Sequence, residues 1–380
     1  MTRLADQRVE PAAGRDDPLD WLRLIRSRRV GAVTFHRLLA EHGSAHAALM
    51  ALPTIARAAG VEGYSTCPDM VAQAELRAGR AFGAKLLLWG APDYPQALMP
   101  LSDAPPVLWA RGNLDLLHRP MVAMVGARNA SSLGLRMARR LAEGLGQGGQ
   151  VVVSGLARGI DTAAHEAALD TGTVAVMAGG VDVTYPEENA ELARQIAAKG
   201  CLLSEQPMGL VPQTRHFPAR NRIISGLSRA VVVVEAAARS GSLITARDAA
   251  DQGREVLAVP GHPFDARAAG CNNLIRDGAP LVRHAADVAE ALGLVAPDQA
   301  DLPAPVLPAL PGPEAPRRSF SDLAAVHGQI LARLGPSPLA EDQLIRDLAL
   351  PPSVLTPALV SLELDGRIAR APGGLLSRAD

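Results

Sequence analysis

Six short apolar runs, most of them rich in valine, recur through the middle of the chain. Each run is continuously apolar, which is the pattern of strands covered on both faces in a parallel sheet. Longer alanine-rich stretches with helical spacing separate them and suit the crossover helices of a doubly wound fold. The sequence therefore predicts an α/β domain with a parallel sheet over 84–294. The predicted strands are 121–125, 151–153, 174–177, 201–203, 230–234 and 255–259, and the predicted helices are 133–146, 162–170, 187–198 and 242–252.

The segment before this domain has helical periodicity. From Trp21 to about Arg80, apolar residues recur at helical spacing and glycines separate the pieces. This pattern predicts a small bundle of short helices over 19–83. Residues 1–18 are polar and unpatterned, so we expect them to form a disordered tail.

The segment after the sheet domain begins with a linker. Residues 295–320 are rich in proline and poor in glycine and serine, which predicts a semi-stiff extended connection. A separate domain is expected over 321–380, with three helices and a terminal hairpin around Pro372, the pattern of a winged helix. Its predicted helices are 323–333, 340–348 and 352–364.

Composition limits the class of protein. The chain has 380 residues, of which 48% are hydrophobic and 20% charged, and a net charge of -1, so it reads as an ordinary globular protein. Its three cysteines form no CxxC pair, so neither a disulfide framework nor a zinc site is indicated. The N-terminus lacks the apolar core of a signal peptide, and no apolar run is long enough to cross a bilayer. We expect a cytoplasmic protein without a membrane segment.

The window from Phe217 to Thr245 has a strongly positive local charge. Around it lie six arginines with only Glu235 against them, accompanied by glycines and hydroxyl residues. Such a run of charged residues usually forms a solvent-exposed helix face. The accompanying glycines and hydroxyl residues favour instead a site that binds phosphate chains. The arginines are Arg215, Arg220, Arg222, Arg229, Arg239 and Arg247.

Polar and glycine-rich loops follow the predicted strands at their carboxyl ends, where open parallel sheets bind ligands. After the first strand, Ser131 or Ser132 is expected to cap the next helix and Arg128 to reach phosphate. After the second strand, glycines allow close backbone approach, and Asp161 is expected to be an N-cap with a structural role.

Specific enzyme fingerprints are missing. There is no GxGxxG after the first strand and no GxxxxGK[ST], which removes the main support for a dinucleotide oxidoreductase or a P-loop ATPase. Ser154, Asp161 and His165 suggest a hydrolase triad, but the GxSxG elbow is absent and His165 lies on a helix face expected to be buried. We predict no catalytic residue, no metal site and no cofactor.

The motifs taken together resemble the DNA-processing protein A family, also called DprA or Smf. The resemblance covers roughly 90–280 and implies an extended Rossmann-like domain, preceded by a helical domain of the SAM or helix-hairpin-helix type and followed in some members by a winged helix. It implies a single-stranded DNA binding protein, not an enzyme, that protects incoming DNA during natural transformation and loads the RecA recombinase. It also implies a homodimer. The matching motifs are VGAR at 125–128, SGLARGIDTAAHEAAL at 154–169, FPARNRIISGLS at 217–228, SGSLITARDAADQGREVLAVPG at 240–261 and NNLIRDGA at 272–279.

This resemblance assigns roles to the loop residues. Arginines and loop amides are expected to track phosphates, and replacing Arg128 or Arg220 is expected to remove about one phosphate contact. Phe217 is the candidate platform for a base, with a buried core phenylalanine as the alternative. The predicted single-stranded DNA site comprises Gly126, Arg128, Ser131, Ser154, Gly155, Arg158, Gly159, Phe217, Arg220, Asn221, Arg222, Ser240, Gly241, Ser242 and Thr245.

Two departures from the family pattern stand out. Near Val30 the helical domain has one glycine where a helix-hairpin-helix motif prefers two, which weakens the case for phosphate binding there. The expected recognition helix of the winged helix, 353–365, contains no Lys or Arg and includes Glu363 and Asp365. Such a helix suits protein contact better than major-groove DNA.

Two other readings remain open. A Rossmann enzyme of the lysine-decarboxylase-like or phosphoribohydrolase type also places glycine-rich loops at strand ends. Its PGGxGTxxE signature is absent, and 240–245 is the nearest analogue. The second alternative is a regulatory DNA-binding protein that acts through the winged helix. The acidic recognition helix argues against this alternative.

Overall fold

The computed structural model describes residues 17–294, 320–334, 339–348, 350–371 and 375–379. The chain divides into two compact units, 1–298 and 299–380, each of which is described by itself. Most of the predicted tail and nearly all of the predicted linker lie outside the described residues. The first helix begins at Pro18, one residue before the predicted start of the helical domain, because Asp17 caps it by accepting a hydrogen bond from the amide of Leu19.

The first unit opens with four helices that share a core with one side of the sheet. Trp21 and Phe35 are fully buried with their ring centroids 5.0 Å apart. Arg26 pairs with Glu75, which also accepts a hydrogen bond from Nε1 of Trp109 in the sheet. The helices therefore pack on the sheet as one body with it. They are α1 (Pro18–Arg26), α2 (Ala32–His42), α3 (Ala45–Ala58) and α4 (Asp69–Phe82).

The sheet has eight strands in the order β1-β2-β6-β5-β4-β3-β7-β8. Strands β3 to β8 pair in parallel, whereas β1 pairs with β2, and β2 with β6, in antiparallel fashion. All six predicted strands are confirmed, and the fold class is the predicted one. The strands are β1 (Lys85–Leu88), β2 (Val107–Gly112), β3 (Met121–Val125), β4 (Val151–Ser154), β5 (Thr173–Val176), β6 (Cys201–Ser204), β7 (Ala230–Val233) and β8 (Glu255–Ala258).

Helices cover both faces of this sheet. On one face α8 and α9 contribute Ile223 and Ala246 to a core with β3 and β7. On the other face α5 and α6 contribute Leu141 and Ala163 to a second core. The helices are α5 (Ser132–Gln147), α6 (Ile160–Ala168), α7 (Ala190–Lys199), α8 (His216–Leu227), α9 (Ser242–Asp251), α10 (Ala269–Arg276) and α11 (Ala285–Ala291).

Helix α8 was not among the helices predicted from the sequence. Its apolar face is short and its first turn contains Pro218, a residue that usually breaks helices. In the first turn a missing amide costs no helical hydrogen bond, so proline is tolerated there. Burial of Ile223, Ile224 and Leu227 against the sheet fixes the rest of the helix.

The second unit is a winged helix, as predicted. Ile330, Leu344 and Leu359 are fully buried at its centre. Its small sheet has the order β10-β11-β9 and ends in the predicted hairpin. The elements are α12 (Phe320–Arg333), β9 (Leu339–Ala340), α13 (Glu341–Leu348), α14 (Pro352–Leu364), β10 (Ile368–Ala371) and β11 (Leu375–Arg378).

Within the described ranges, none of the helices combines the length and apolar character needed to span a membrane.

Candidate nucleic-acid interface

A groove runs along the carboxyl ends of the central strands, beneath the N-terminus of α8. It consists of a large compartment of about 530 Å³ and a small compartment of about 380 Å³. Arg128, Phe217 and Arg220 line both compartments, so the two are continuous. Strand β3 has β4 on one side and β7 on the other, and ligands of doubly wound sheets bind where the strand order reverses in this way.

Most of the predicted site residues line this groove. The large compartment contains Gly126, Arg128, Phe217, Arg220, Asn221, Ser240, Gly241, Ser242 and Thr245. The small compartment contains Gly155 and Arg158 together with the shared residues Arg128, Phe217 and Arg220. Four predicted residues do not line it: Ser131, Ser154, Gly159 and Arg222.

The lining is strongly basic. Arginines from five different segments line the two compartments, and Asp161 is the one acidic residue among the described lining residues. Because walls of low dielectric constant focus the field of such charges, the groove attracts polyanions although the whole chain carries a net charge of -1. The arginines are Arg128, Arg158, Arg220, Arg239 and Arg267.

Arg220 lies at the floor of the groove and is only 5% exposed. Its Nη1 donates a 2.7 Å hydrogen bond to the carbonyl of Val176, and its Nε is buried without a partner among the described residues. Burial lowers the pKa of Arg220 to about 10, although Asp161 acts in the opposite direction. This buried guanidinium ties α8 to the end of β5.

Asp161 braces the loop after β4. Its carboxylate accepts hydrogen bonds from the amides of Gly155 at 3.1 Å and Ala157 at 3.3 Å. Burial raises the pKa of Asp161, and Arg220 and these amides oppose the rise. The prediction that Asp161 is an N-cap is wrong, because Gly159 holds that position in α6. The amide of Gly155 therefore already donates a hydrogen bond within the protein.

The same loop contains two residues with positive φ. Gly159 has φ 78°, and any Cβ on it would collide with the carbonyl oxygens of Ala127 and Arg128. Leu156 has φ 55°, which is strained for a leucine, and is fully buried. Gly159 thus fixes the approach of the loops after β3 and β4 without lining the groove itself.

An aromatic cluster lies where the two compartments meet. The ring of Phe217 is half-buried, with the Tyr185 ring at 5.7 Å between centroids and the Arg128 guanidinium 5.2 Å from its centroid. Tyr185 is 51% exposed and lines the small compartment. Phe217 is thus not a fully buried core residue, and the groove offers an aromatic surface at its midpoint.

The N-terminus of α9 faces the large compartment. Gly241 is its N-cap residue and leaves open space where a Cβ would stand. The hydroxyls of Ser240 and Ser242 lie 2.6 Å apart, and Thr245 lies one turn on. Helix N-termini favour anions, so this corner suits a phosphate group.

Arg222 does not face the groove, contrary to expectation. It pairs with Glu205 at 2.6 Å and with Asp103 at 3.2 Å, and it lines a separate cleft that also contains Asp248 and Asp251. Because residues 216–227 form a helix, Arg220 and Arg222 point to different sides. Arg222 therefore stabilises the packing of α8.

Two serines predicted to bind DNA have structural roles. Ser154 is fully buried and donates a hydrogen bond to the carbonyl of Met124. Ser131 caps α5 as predicted, accepting from the amide of Gly134, while its own amide donates to Glu235 at 2.9 Å. The Glu235 carboxylate thus occupies the helix N-terminus at which Rossmann dinucleotide enzymes hold pyrophosphate.

The predicted site omits four groove residues with arginine, asparagine or tyrosine side chains that could contact DNA. Arg267 and Asn129 carried no motif, and Arg239 was noted only as part of the charge run. Tyr185 was not among the predicted site residues. The sequence does show an aromatic residue near a strand-end loop at this position. No rule of sequence spacing, however, predicts that this loop lies beside Phe217.

The chain matches three family models. Residues 85–293 match the model described as DNA recombination-mediator protein A, and residues 15–78 match a DprA-like N-terminal HHH domain. Residues 313–374 match a DprA winged helix domain. The matches follow the three-part architecture of the structure.

Curated proteins and solved structures give similar results. DNA processing protein DprA of Streptococcus pneumoniae is 49% identical over 197 residues, covering 51% of this chain and 70% of that protein. Protein Smf of Escherichia coli K12 is 39% identical over 289 residues, covering 74% of each. The X-ray structure of the S. pneumoniae protein has a TM-score of 0.55 at 44% identity, covering 59% of this chain and 77% of that one. DNA processing protein A from Helicobacter pylori, described for its unique single-stranded DNA binding mode, has a TM-score of 0.51 at 30% identity, covering 55% and 95%.

Proposed function

Because the chain belongs to the DNA recombination-mediator protein A family, we propose that it binds single-stranded DNA in the groove. The observation that carries this proposal is the combination of five arginines with a half-exposed aromatic cluster in one continuous channel. Proteins that bind single strands combine a basic path for the backbone with aromatic surfaces for unstacked bases. The H. pylori relative, described for its single-stranded DNA binding mode, supports the same assignment.

Binding is expected to have little sequence preference. Arginine side chains and helix N-termini contact phosphates, which carry no sequence information. Among the described groove residues, Asn129 and Asn221 are the amide side chains available to read a base edge. Two amides provide little base discrimination compared with the arginine contacts.

The role that we propose for binding is to protect incoming strands during natural transformation and to load the RecA recombinase onto them. A cytoplasmic location fits this role. RecA loading can be measured as the rate at which RecA displaces a single-strand binding protein from DNA. We expect a faster rate with this protein than without it, and an unchanged rate would refute the loading role.

We also propose that the protein works as a homodimer through the sheet domain. The support is the segment after β8 from Phe264 to Ile275, which includes most of α10 and in which Phe264 is 95% exposed. Sedimentation equilibrium of the full chain should give a dimer at micromolar concentration. Phe264→Asp should weaken it, whereas Met50→Asp, an exposed apolar residue on α3, should not. A monomeric wild type would refute the dimer.

The protein is proposed to act by binding and not by catalysis. The rival is a nucleotide-processing Rossmann enzyme, which would release free base from nucleoside monophosphates. Incubation with each monophosphate should give no free base, and its release would favour the rival. For the winged helix we propose a protein contact, since α14 lacks Lys and Arg.

The test of the main proposal is the affinity for matched single-stranded and double-stranded oligonucleotides at two salt concentrations. Fluorescence anisotropy should show tighter binding to single strands, weakened by salt with a slope of roughly -0.7 per phosphate neutralised. Equal or tighter binding to duplex would contradict the proposal.

A further inference from the structure

The small compartment has the features of a base-binding pocket. We propose that Tyr185 and Phe217 together form a platform on which one unpaired nucleobase stacks, with Tyr185 as the outer surface. This inference rests on the proposed function and adds a binding residue to it. The two rings lie 5.7 Å apart at an angle of 55°, too close for a base to insert between them. A base therefore stacks on the exposed side of Tyr185.

The loop that presents Tyr185 is held in place before any ligand arrives. Asn189, which is 6% exposed, donates hydrogen bonds to the carbonyl of Leu156 at 2.9 Å and to the hydroxyl of Thr162 at 3.0 Å. At the other end of the loop, Asp182 accepts a hydrogen bond from the amide of Gly209 at 2.8 Å. A large aromatic ring that is half-exposed on a rigid loop loses little entropy when a ligand stacks on it.

The walls of the compartment suit one base flanked by phosphates. Gly155 contributes no side chain, Pro186 is apolar, and Arg128 and Arg158 stand on the rim. Their guanidinium groups can contact the phosphates of the stacked nucleotide. The volume of about 380 Å³ lies near the lower end of the range for small-ligand pockets.

This arrangement selects single strands over duplex. A base in a duplex already has both faces stacked and its edge paired, so it must leave the helix to place a face on Tyr185. Every base has such a face, so the pocket accepts all four. The expected preference is a modest one for purines, which stack more strongly.

The experiment measures the affinity of the full chain for a single-stranded oligonucleotide and the emission of one 2-aminopurine placed in it. Tyr185→Leu should weaken binding about five- to tenfold and reduce the 2-aminopurine quenching, while the salt slope stays as in wild type. Tyr185→Phe keeps the ring and should bind as wild type. The matched control is Tyr64→Leu in the helical domain, which should leave affinity and quenching unchanged.

Three results would overturn the inference. One is wild-type affinity and quenching in Tyr185→Leu, and another is equal loss in Tyr64→Leu. The third is that wild-type protein binds single strands but quenches 2-aminopurine at none of the positions tested. This third measurement needs only the wild type, so it decides the question even if Tyr185→Leu does not fold. A wild type that does not prefer single strands would instead contradict the proposed function itself.

Discussion

The guanidinium of Arg220 packs against Gly155 so closely that no Cβ fits between them. This contact joins α8 to the loop after β4 beneath the groove. The sequence predicted that Arg220, like Arg128, contacts phosphate directly. Its burial beside Asp161 indicates that its main effect is to hold the groove together.

We therefore expect Arg220→Ala to destabilise the fold. The substitution removes the buried hydrogen bond to the Val176 carbonyl and a positive charge that acts on the buried Asp161 carboxylate, and loss of such a charged hydrogen bond typically costs about 1.5–3 kcal/mol. Urea unfolding measures this loss. Arg239→Ala is the matched control, because Arg239 is exposed in the same groove and should lower affinity without lowering stability. Wild-type stability in Arg220→Ala would show that the buried guanidinium is not structural.

Arg128→Ala is expected to lower affinity and make the salt slope shallower by about 0.7, because the exposed guanidinium neutralises one phosphate. Arg222→Ala should instead lower stability and leave the salt slope as in wild type. It breaks the pairs with Glu205 and Asp103, so stability falls by roughly 1.5–3 kcal/mol while the salt slope stays unchanged. Salt titrations of both variants check this, and a shallower slope for Arg222→Ala would place that residue in the binding path.

The sequence predicted the sheet well because buried parallel strands leave continuous apolar runs. It did not predict β1 and β2, which are antiparallel additions at one edge. It placed 11 of the 15 predicted residues along the groove, since carboxyl-end loops converge at one edge of a sheet. The failures have a common cause. Spacing along the chain does not decide where these side chains lie in space. Because residues 216–227 form a helix, Arg220 and Arg222 point to different sides of it, and Tyr185 comes close to Phe217 only in the tertiary fold.

Glu188→Gln is expected to raise affinity for single strands. Arg158 on the rim pairs with Glu188 at 2.6 Å, so part of its charge is neutralised before DNA arrives. Since an exposed pair is worth about 0–1 kcal/mol, the gain should be about two- to fivefold. Glu187→Gln changes the net charge equally at the neighbouring exposed position and is the matched control. An equal gain in both variants would mean that net charge alone is responsible.

Stability is expected to fall in mild acid because of His165. This residue is fully buried, its Nδ1 lies 2.7 Å from the hydroxyl of Thr173, and burial lowers its pKa to about 3. The unfolded chain takes up the proton near pH 6.5, so the stabilisation is present above that pH and is lost towards pH 3. The slope reaches about 1.4 kcal/mol per pH unit.

His165→Phe removes this titration and should make the free energy of unfolding depend less steeply on pH between pH 6.5 and about 4.5. His118→Asn, an exposed histidine, is the control and should keep the wild-type dependence. Parallel curves for wild type and His165→Phe would contradict this account.

Location of the bound strand tests the central claim most directly. Single-stranded oligonucleotides carrying 5-iododeoxyuridine at successive positions can be cross-linked to the full chain by light, and the adducts mapped by mass spectrometry. The predicted adducts lie on the loop that carries Tyr185 and on the first turn of α8 around Phe217. Adducts confined to α14 of the winged helix or to α1–α4, with none in the groove, would contradict the account.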